Sequence, residues 1–277
     1  MFFGCFGQNS LSEFDKKKKE FSKTIKKRKW SEPNKVLELI EPVILVSDGN
    51  ETDIGSSKFG GTPDLPIGTE WPKYKNHSMV FFAQINLKEI ADLHKDSLLP
   101  KTGILYFFSY FENPENEYGA YYEFLKDKSE YKVLYSDNDL SDLRETIFPN
   151  DLISDYQFKT TPIDFYLDFQ VPETTETWKY ENAKLNPKDE LIYDELINET
   201  DDNEQEMVLG TPYPIQYGAD YDWAYSYLKI TDFKDPKLMD KVNTVRPNFV
   251  NLFSFSLMFR FETIGISNCY FGILKED

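Results

Sequence analysis

The chain has 277 residues and a formal net charge of −17, and so anionic a body repels phosphate backbones, which argues against nucleic acid as a partner. Its hydrophobic fraction is 40%, with 23 Phe and 18 Tyr, so the chain can build a large core and is not expected to be disordered. Two widely separated cysteines, Cys5 and Cys269, and two histidines predict no disulfide framework, no metal site and no cofactor.

The sequence carries no pattern typical of a membrane or secreted protein. No apolar run approaches the ~18 to 20 residues that a membrane-spanning helix needs. The first nine residues form neither a basic leader nor an apolar h-region, and residue 2 is not glycine, so we expect no signal peptide and no myristoylation. These patterns predict a cytoplasmic protein.

Residues 1–35 are predicted to form an N-terminal element built on a basic amphipathic helix from Ser10 to Trp30. Residues 1–29 hold nine Lys or Arg and three acids. The apolar residues that fall near one face of this helix are Leu11, Phe14, Phe21 and Ile25. Such a helix could lie on an anionic membrane or meet an acidic partner. We favour docking of its apolar stripe on its own domain.

Residues 36–277 are predicted to form an α+β domain of largely antiparallel sheets with a few helices. The clearest strand signal is 162–171, where apolar and polar residues alternate strictly, as in a half-buried strand. A short helix is predicted at 139–148 from apolar residues at helical spacing. Further strands are predicted at 43–46, 81–87, 103–108 and 130–135.

Residues 181–206 are acidic and polar, and they predict a linker with a short helix between halves at about 36–180 and 207–277. The second half contains an alternating run that predicts one long strand, followed by a last strand at 268–274. The side chains that would share one side of the long strand are Phe253, Phe255, Leu257, Phe259 and Phe261.

The two predicted halves repeat the same order of motifs: a Gly-Thr-Pro turn, a long strand and a strand containing Tyr-Phe. The matched segments are 61–63 with 210–212, 82–86 with 258–262, and 105–108 with 269–272. A repeated order of this kind predicts two pseudo-repeated halves that share one core.

The turn of the first half supplies four candidate binding residues. Gly60 and Gly61 can adopt positive φ without steric cost, and Pro63 stiffens the chain that follows. Trp71 is kept out of helical geometry by the proline after it and presses a large ring into the fold. Rigid turns of this kind are chiefly scaffold, although they also shape binding sites beside a cleft.

Two glutamines and an aromatic, acidic segment supply the other candidates. Gln84 and Gln216 lie beside strand and turn motifs, where an amide either binds a ligand or satisfies buried backbone groups. Asp222 and Trp223, within the tyrosine-rich segment 217–227, could stack on a sugar or bind a peptide, or else be partly buried aromatics with solvated acids. We assign no catalytic residue, because the sequence has no nucleophile elbow, phosphate loop, dinucleotide fingerprint or paired-histidine motif.

A set of spaced motifs runs through residues 36–277. They are Gly60-Gly61-x-Pro63, Leu65-Pro66, Trp71-Pro72, Phe82-Ala83-Gln84-Ile85-Asn86-Leu87, Leu99-Pro100, Gly103-x-Leu105-x-Phe107-Phe108 and Leu209-Gly210-x-Pro212-x-Pro214-Ile215-Gln216. With these motifs the chain resembles the YwqG-like family, a bacterial domain of unknown function. The resemblance implies an α+β fold with a duplicated core and no established activity.

The chain departs from this family near its end. Arg260 stands where members usually carry a glutamine, and Gly265-Ile266-Ser267-Asn268 replaces a Gly-Asp pair. Members commonly continue past Glu276-Asp277, so the resemblance implies that this chain stops early. Some members are thought to lie beside toxin and immunity genes, and the resemblance therefore implies an immunity role.

We therefore expect a non-enzymatic cytoplasmic protein whose acidic surface binds a basic protein. The residues beyond 29 hold 22 positive and 45 negative charges, which would attract such a partner and speed the encounter. The same surface could serve only to keep the protein soluble. The alternative is an enzyme or small-ligand-binding protein with a cleft between the two halves, which would use Gln84, Gln216 and nearby carboxylates.

Overall fold

The computed structural model describes residues 12–50, 53–94, 98–111, 128–172, 177–199, 206–212, 218–261 and 268–276. Its helices are α1 (Glu13–Lys26), α2 (Pro33–Glu38), α3 (Leu87–Ile90), α4 (Trp178–Ala183), α5 (Pro187–Glu199), α6 (Ala219–Leu228), α7 (Leu238–Val245) and α8 (Leu257–Arg260). None of the helices in these ranges has the length and apolar character needed to cross a bilayer.

The strands fall in runs between these helices along the chain. They are β1 (Glu41–Asp48), β2 (Lys58–Phe59), β3 (Asp64–Pro66), β4 (Lys73–Tyr74), β5 (His77–Ser78), β6 (Val80–Asn86), β7 (Ile104–Ser109), β8 (Tyr131–Ser136), β9 (Leu143–Glu145), β10 (Thr161–Gln170), β11 (Met207–Val208), β12 (Phe249–Ser256) and β13 (Asn268–Leu274). In the part of the chain that the structure describes, β1 to β6 and β7 to β10 each follow one another without an α-helix between them. The mixture of antiparallel strands and short helices confirms the predicted α+β class.

Within the described ranges the main sheet has nine strands in the order β13-β12-β11-β1-β10-β2-β6-β7-β8. Every pairing in it is antiparallel. The long strands β1 and β10 lie at its centre, with Ile44 opposite Leu167. Strands β2, β6 and β7 extend from β10, and strands β11, β12 and β13 extend from β1.

The sheet is rolled, so that its two outer parts, which we call wings, face each other. One wing is β2, β6, β7 and β8, and the other is β11, β12 and β13. Six strands separate β7 from β13, and in a flat sheet they would be about 34 Å apart at ~4.8 Å per step. Yet the ring centroids of Phe107 on β7 and Phe271 on β13 are 5.0 Å apart. Phe253 also lies 5.0 Å from Phe107 and 5.6 Å from Phe59. The space between the wings is therefore filled with aromatic rings.

A second apolar cluster lies where β10 approaches its C-terminal end, at Leu167 and Phe169. Helices α1, α2, α4 and α5 cover it. Phe14 of α1 meets Phe169 of β10 edge-on at 5.0 Å, and Ile25 is buried. The ammonium group of Lys17 donates a hydrogen bond to the carbonyl of Leu167. One side of the helix thus packs on the end of β10. The helix runs from Glu13 to Lys26, whereas it was predicted over 10–30.

A buried carboxylate fastens the segment after α1 to α5. Asp189 accepts hydrogen bonds at 2.7 Å from the backbone amides of Ser31 and Glu32, and at 3.0 Å from Asn186 Nδ2. Burial alone would raise the pKa of Asp189, but these hydrogen bonds together outweigh burial and hold the pKa below its ordinary value.

Most predicted strands are confirmed. β10 keeps the predicted alternation, with Ile163, Leu167 and Phe169 buried and Asp164 and Asp168 exposed. The strands predicted at 43–46, 81–87, 103–108, 130–135 and 268–274 correspond to β1, β6, β7, β8 and β13.

The long strand predicted for 253–261 is wrong beyond Ser256. β12 ends there, and the hydroxyl of Ser256 accepts a hydrogen bond from the amide of Phe259 at 3.3 Å, which caps the short helix α8. Phe259 consequently turns outward and is 67% exposed. The segment 258–261 is therefore not the counterpart of strand 82–86.

The helix predicted for 139–148 is also wrong. A 3-10 turn at Leu140–Asp142 leads into β9, which pairs with β3 and places Leu143 opposite Pro66. Of the three apolar residues at helical spacing only Leu143 is buried, whereas Leu140 and Ile147 are 52% and 86% exposed. The spacing did not mark a buried face, and pairing with β3 determined the local structure.

Candidate functional site

Two consecutive glycines shape the turn after β2. Gly60 and Gly61 have φ values of 59° and 67°, in the left-handed region that favours glycine. A Cβ on Gly60 would lie 2.3 Å from the carbonyl oxygen of Lys159, and one on Gly61 would lie 2.0 Å from Thr160 Oγ1. The turn therefore requires glycine for both its conformation and its close approach to Lys159 and Thr160, the residues that immediately precede β10.

This turn leads into a buried polar network centred on Asp64. One carboxylate oxygen, Asp64 Oδ2, accepts from the Gly55 amide at 2.9 Å, Lys58 Nζ at 3.0 Å and Gln84 Nε2 at 2.7 Å. Gln84 Oε1 accepts the backbone amide of Asp64 at 2.9 Å, and the Tyr106 hydroxyl donates to the Asp64 carbonyl at 2.7 Å. Burial, followed by the charge of Asp64, raises the pKa of Tyr106 well above its ordinary value.

The same network holds the loop that precedes β2. Gln84 Nε2 donates to the carbonyl of Ser56 at 2.7 Å, and Asn86 Nδ2 donates to the carbonyl of Gly55 at 2.9 Å. The amide of Asn86 in turn donates to Ser57 Oγ at 2.8 Å. Gln84 is thus a buried amide that satisfies backbone groups and fixes loop 53–57.

The ion pair inside the network is structural in character. The side chains of Lys58 and Asp64 are 6% and 2% exposed, so their charges are shielded from solvent. Removing one partner would strand the other charge, at a cost of about 3–5 kcal/mol. Lys58 and Asp64 gave no motif that sequence analysis could recognise. The only signal in the sequence was that a lysine and an aspartate flank the turn 59–63, which carries no charged residue.

Pro63 and Trp71 lie in the same region. The Pro63 carbonyl accepts hydrogen bonds from the amide and hydroxyl of Thr146 at 3.2 Å and 2.9 Å. Trp71 donates from Nε1 to the carbonyl of Met79 at 2.8 Å, and its ring lies 5.8 Å from that of Phe108. Trp71 therefore supports the outer side of strands β6 and β7, while Pro63 holds the residue that follows β9.

Trp223 and Asp222 lie on α6, beside β13. The ring of Trp223 covers Gly272, where a Cβ would come within 2.3 Å of the indole, and its Nε1 donates to the Tyr270 carbonyl at 3.2 Å. Burial, and then the charge of Asp220, raises the pKa of Asp222. These residues thus belong to a different region from the Asp64 network. Gln216 lies outside the described residues.

A second buried cluster, which sequence analysis missed, surrounds Arg246. Its guanidinium pairs with Glu181 at 2.8 Å and Asp220 at 3.2 Å, and it lies 3.4 Å from the ring centroid of Tyr221. Burial raises the pKa of Asp220, although the amide of Trp178 and the charge of Arg246 oppose this rise. The cluster ties α4 to α6 and to the residues before β12.

A third cluster surrounds Arg260, the position at which the sequence departs from the family pattern. Arg260 Nε lies 2.7 Å from Glu206 Oε1, and its guanidinium also pairs with Asp48. The guanidinium lies 4.7 Å from the ring centroid of Phe59. Burial raises the pKa of Glu206 against the hydrogen bond and charge of Arg260. Arg246 and Arg260 therefore each form ion pairs with two carboxylates of the same chain.

On its outer face β10 is open to solvent, although Val43 and Leu45, which lie opposite it on β1, are buried. Tyr166 of β10 is 44% exposed, and its neighbours on this face, Asp164 and Asp168, are exposed as well. Among the described residues neither carboxylate forms an ion pair with a cation. Nor does that part of the chain contain a group of three or more His, Cys, Asp or Glu side chains that could hold a metal ion.

Comparison with known proteins identifies the family of the chain. Residues 57–256 match the model of a family described as "Domain of unknown function (DUF1963)". The match begins just before β2 and ends with β12, so it contains the glycine turn and the side chains of the Asp64 network, while Gly55 and Ser56, whose backbone they bind, precede it. No curated protein matches the chain.

Proposed function

The chain belongs to the DUF1963 family, whose description assigns no activity, and from its surface we propose that it is a non-enzymatic module that binds a basic protein. One observation carries the proposal: Asp164 and Asp168 flank Tyr166 on an open strand face, and neither forms an ion pair with any cation that the structure describes. Exposed carboxylates beside an aromatic ring suit lysine and arginine, which combine charge pairing with packing on the ring.

The distribution of buried charge supports this proposal. Arg246 and Arg260 are each surrounded by two carboxylates, so the buried arginines leave no positive charge to offset the acidic surface. With a net charge of −17, the protein produces a long-range field that accelerates encounter with cationic proteins at low salt.

At a finer level, we propose that the chain is a YwqG-like cytoplasmic protein and that its basic partner is a toxin that it neutralises. The support is the set of motifs around Gly60 and Gly61, together with the acidic character of the surface. The open face of β10 would then be the surface that meets the toxin.

We also infer that the domain is built from two pseudo-repeated halves. In the strand register, Lys58 of β2 lies opposite Gln84 of β6, and Met207 of β11 lies opposite Ser254 of β12. Lys58 and Met207 each stand three residues before the glycine of their Gly-Thr-Pro turn. The β6–β7 ladder shifts register between Phe81 and Ala83, and the β12–β13 ladder shifts between Asn251 and Phe253. Both strands then continue directly into a short helix, α3 after β6 and α8 after β12.

The N-terminal helix α1 is, on this proposal, an amphipathic helix that docks on its own domain. Its contacts with β10 support docking, since Ile25 is buried and Phe14 packs on Phe169. Its lysines at 16, 18 and 19 are exposed.

The alternative of an enzyme or small-ligand binder has less support. It requires a cleft between the halves, and Phe107, Phe253 and Phe271 pack together where the two wings of the sheet meet. Gln84, one of its proposed binding groups, is fully buried and bonded to Asp64 and Ser56.

Site-specific crosslinking in the source cell tests the proposal. A photoreactive phenylalanine placed at position 166 should capture a basic protein. When the crosslinking is repeated in a lysate, the yield of this adduct should fall as the salt concentration is raised. The same probe at position 227 is the matched control, because Tyr227 is 41% exposed and lies on α6. An acidic adduct at 166, or equal capture at both positions, would reject the proposal.

A further inference from the structure

Three exposed apolar side chains lie around the loops that the Asp64 network supports. Ile54, Ile67 and Leu140 are 52%, 65% and 52% exposed. Leu140 lies against Gly55, the neighbour of Ile54, since a Cβ on that glycine would be 2.5 Å from Leu140 Cδ2. The amide of Ile67 donates to the carbonyl of Asp142, in the same turn as Leu140, at 2.9 Å. The three residues therefore lie on neighbouring loops, and we group them as one exposed apolar patch.

Exposed carboxylates predominate in the segments that carry this patch, and the exposed cations Lys73 and Arg144 lie just outside them. The segments 48–57, 67–72 and 137–142, which carry the three apolar residues, contain no Lys or Arg. Their exposed acids are Asp48, Asp53, Glu70, Asp137, Asp139 and Asp142. Of these, only Asp48 is paired, with Arg260, within the described part of the chain. We call these three apolar residues and these six acids the acidic apolar patch.

The patch stands on a rigid base. Asp64 and Gln84 bind the backbone of Gly55 and Ser56, and Asn86 binds the carbonyl of Gly55. β3 pairs with β9 on the other side, which fixes the distance between Ile67 and Leu140. A surface that is already ordered loses little conformational entropy on binding.

We propose that the acidic apolar patch docks a basic segment of a partner protein, one that presents apolar side chains between its lysines or arginines. This inference rests on the proposed binding of a basic protein and assigns to it a contact surface in addition to the open face of β10. Charge complementarity selects the occupant: a second copy of this chain would bring the same acids to a two-fold interface, where they would repel. The buried residues Asp64 and Gln84 are positioning residues for the patch.

Two synthetic peptides of equal charge test the inference. One is an amphipathic helix of lysine and leucine, and in the other serine replaces every leucine. At low salt the leucine peptide should bind the full chain at least tenfold more tightly than the serine peptide. The double variant Ile67→Ser/Leu140→Ser should remove this advantage. Leu191→Ser, at a residue of α5 that is 67% exposed, is the matched control and should bind like the unaltered chain.

The outcomes separate this inference from the proposed function. If both peptides bind equally and the double variant changes nothing, the patch is refuted while binding of basic proteins stands. If neither peptide binds at low salt, the proposed function itself fails. If the chain forms dimers that the double variant dissociates, the occupant is a second copy and the inference is overturned. Circular dichroism of each variant establishes that it is folded, which is expected because all three side chains are exposed.

Discussion

Gln84 and Asp64 hold each other through two hydrogen bonds in opposite directions. The Gln84 amide donates to the Asp64 carboxylate at 2.7 Å and accepts from the Asp64 backbone amide at 2.9 Å. Because both residues are buried, neither can exchange its partner for water. This pair connects the family motif on β6 to the turn that carries β3.

Replacing Gln84 with alanine should therefore destabilise the protein by about 2–4 kcal/mol, since the Asp64 amide loses its acceptor and the carboxylate loses a donor. Chemical denaturation measures the loss. The control is Gln157→Ala, which removes a single partly buried hydrogen bond to the carbonyl of Leu152 and should cost about 1 kcal/mol. Equal losses in the two variants would contradict the role given to the network.

Gly60→Ala should destabilise the fold more than Gly68→Ala does. Both glycines have positive φ, 59° and 92°, so both variants introduce backbone strain of about 1–2 kcal/mol. Only at Gly60 does the new Cβ also collide with a carbonyl oxygen, that of Lys159, whereas nothing lies within 4 Å at Gly68. The difference between the two free energies of unfolding isolates the collision. A difference near zero would mean that the close approach to Lys159 is relaxed at little cost.

Gly272→Ala should destabilise by about 1–3 kcal/mol, because its Cβ would enter the indole of Trp223. A smaller ring should relieve the collision, so Gly272→Ala combined with Trp223→Leu should lose less than the two single variants together. A double-mutant cycle from thermal unfolding gives the coupling. Additive losses would show that Trp223 moves away freely.

Acid should loosen the contact between α5 and the segment after α1. The folded pKa of Asp189 lies below its ordinary value, so the stability that it contributes is present above the unfolded pKa of about 3.9 and is lost as the pH falls through the folded pKa. The free energy of unfolding should therefore fall in this window, and Asp189→Asn should flatten the profile. Hydrogen exchange at the Ser31 and Glu32 amides locates the effect, and an unchanged profile in the variant would contradict it.

The sequence predicted those parts of the fold that depend on local pattern. The alternation along 162–171 indicated a half-buried strand, and β10, at Thr161–Gln170, is one. The helix at 139–148 failed because Leu140 and Ile147 are exposed, a fact that apolar spacing cannot reveal. The long strand predicted for 253–261 is wrong beyond Ser256, because this serine caps a helix at that point.

The site was less predictable than the fold. Gln84 was recognised because an amide within an apolar strand needs a partner, but that partner, Asp64, is 20 residues away and only folding brings them together. Arg246 and Glu181 are 65 residues apart and left no local pattern at all. Buried polar clusters of this kind depend on tertiary geometry, whereas strand patterns do not.

The rolled sheet also determines when this protein can fold. Phe107 packs on Phe271, 164 positions later in the chain, so the aromatic core remains incomplete until the C-terminal strands have left the ribosome. Until then β6 and β7 present Phe82, Phe107 and their neighbours to solvent or to a chaperone. Folding during synthesis should accordingly be slow and aggregation-prone, as is usual where contacts are distant in sequence.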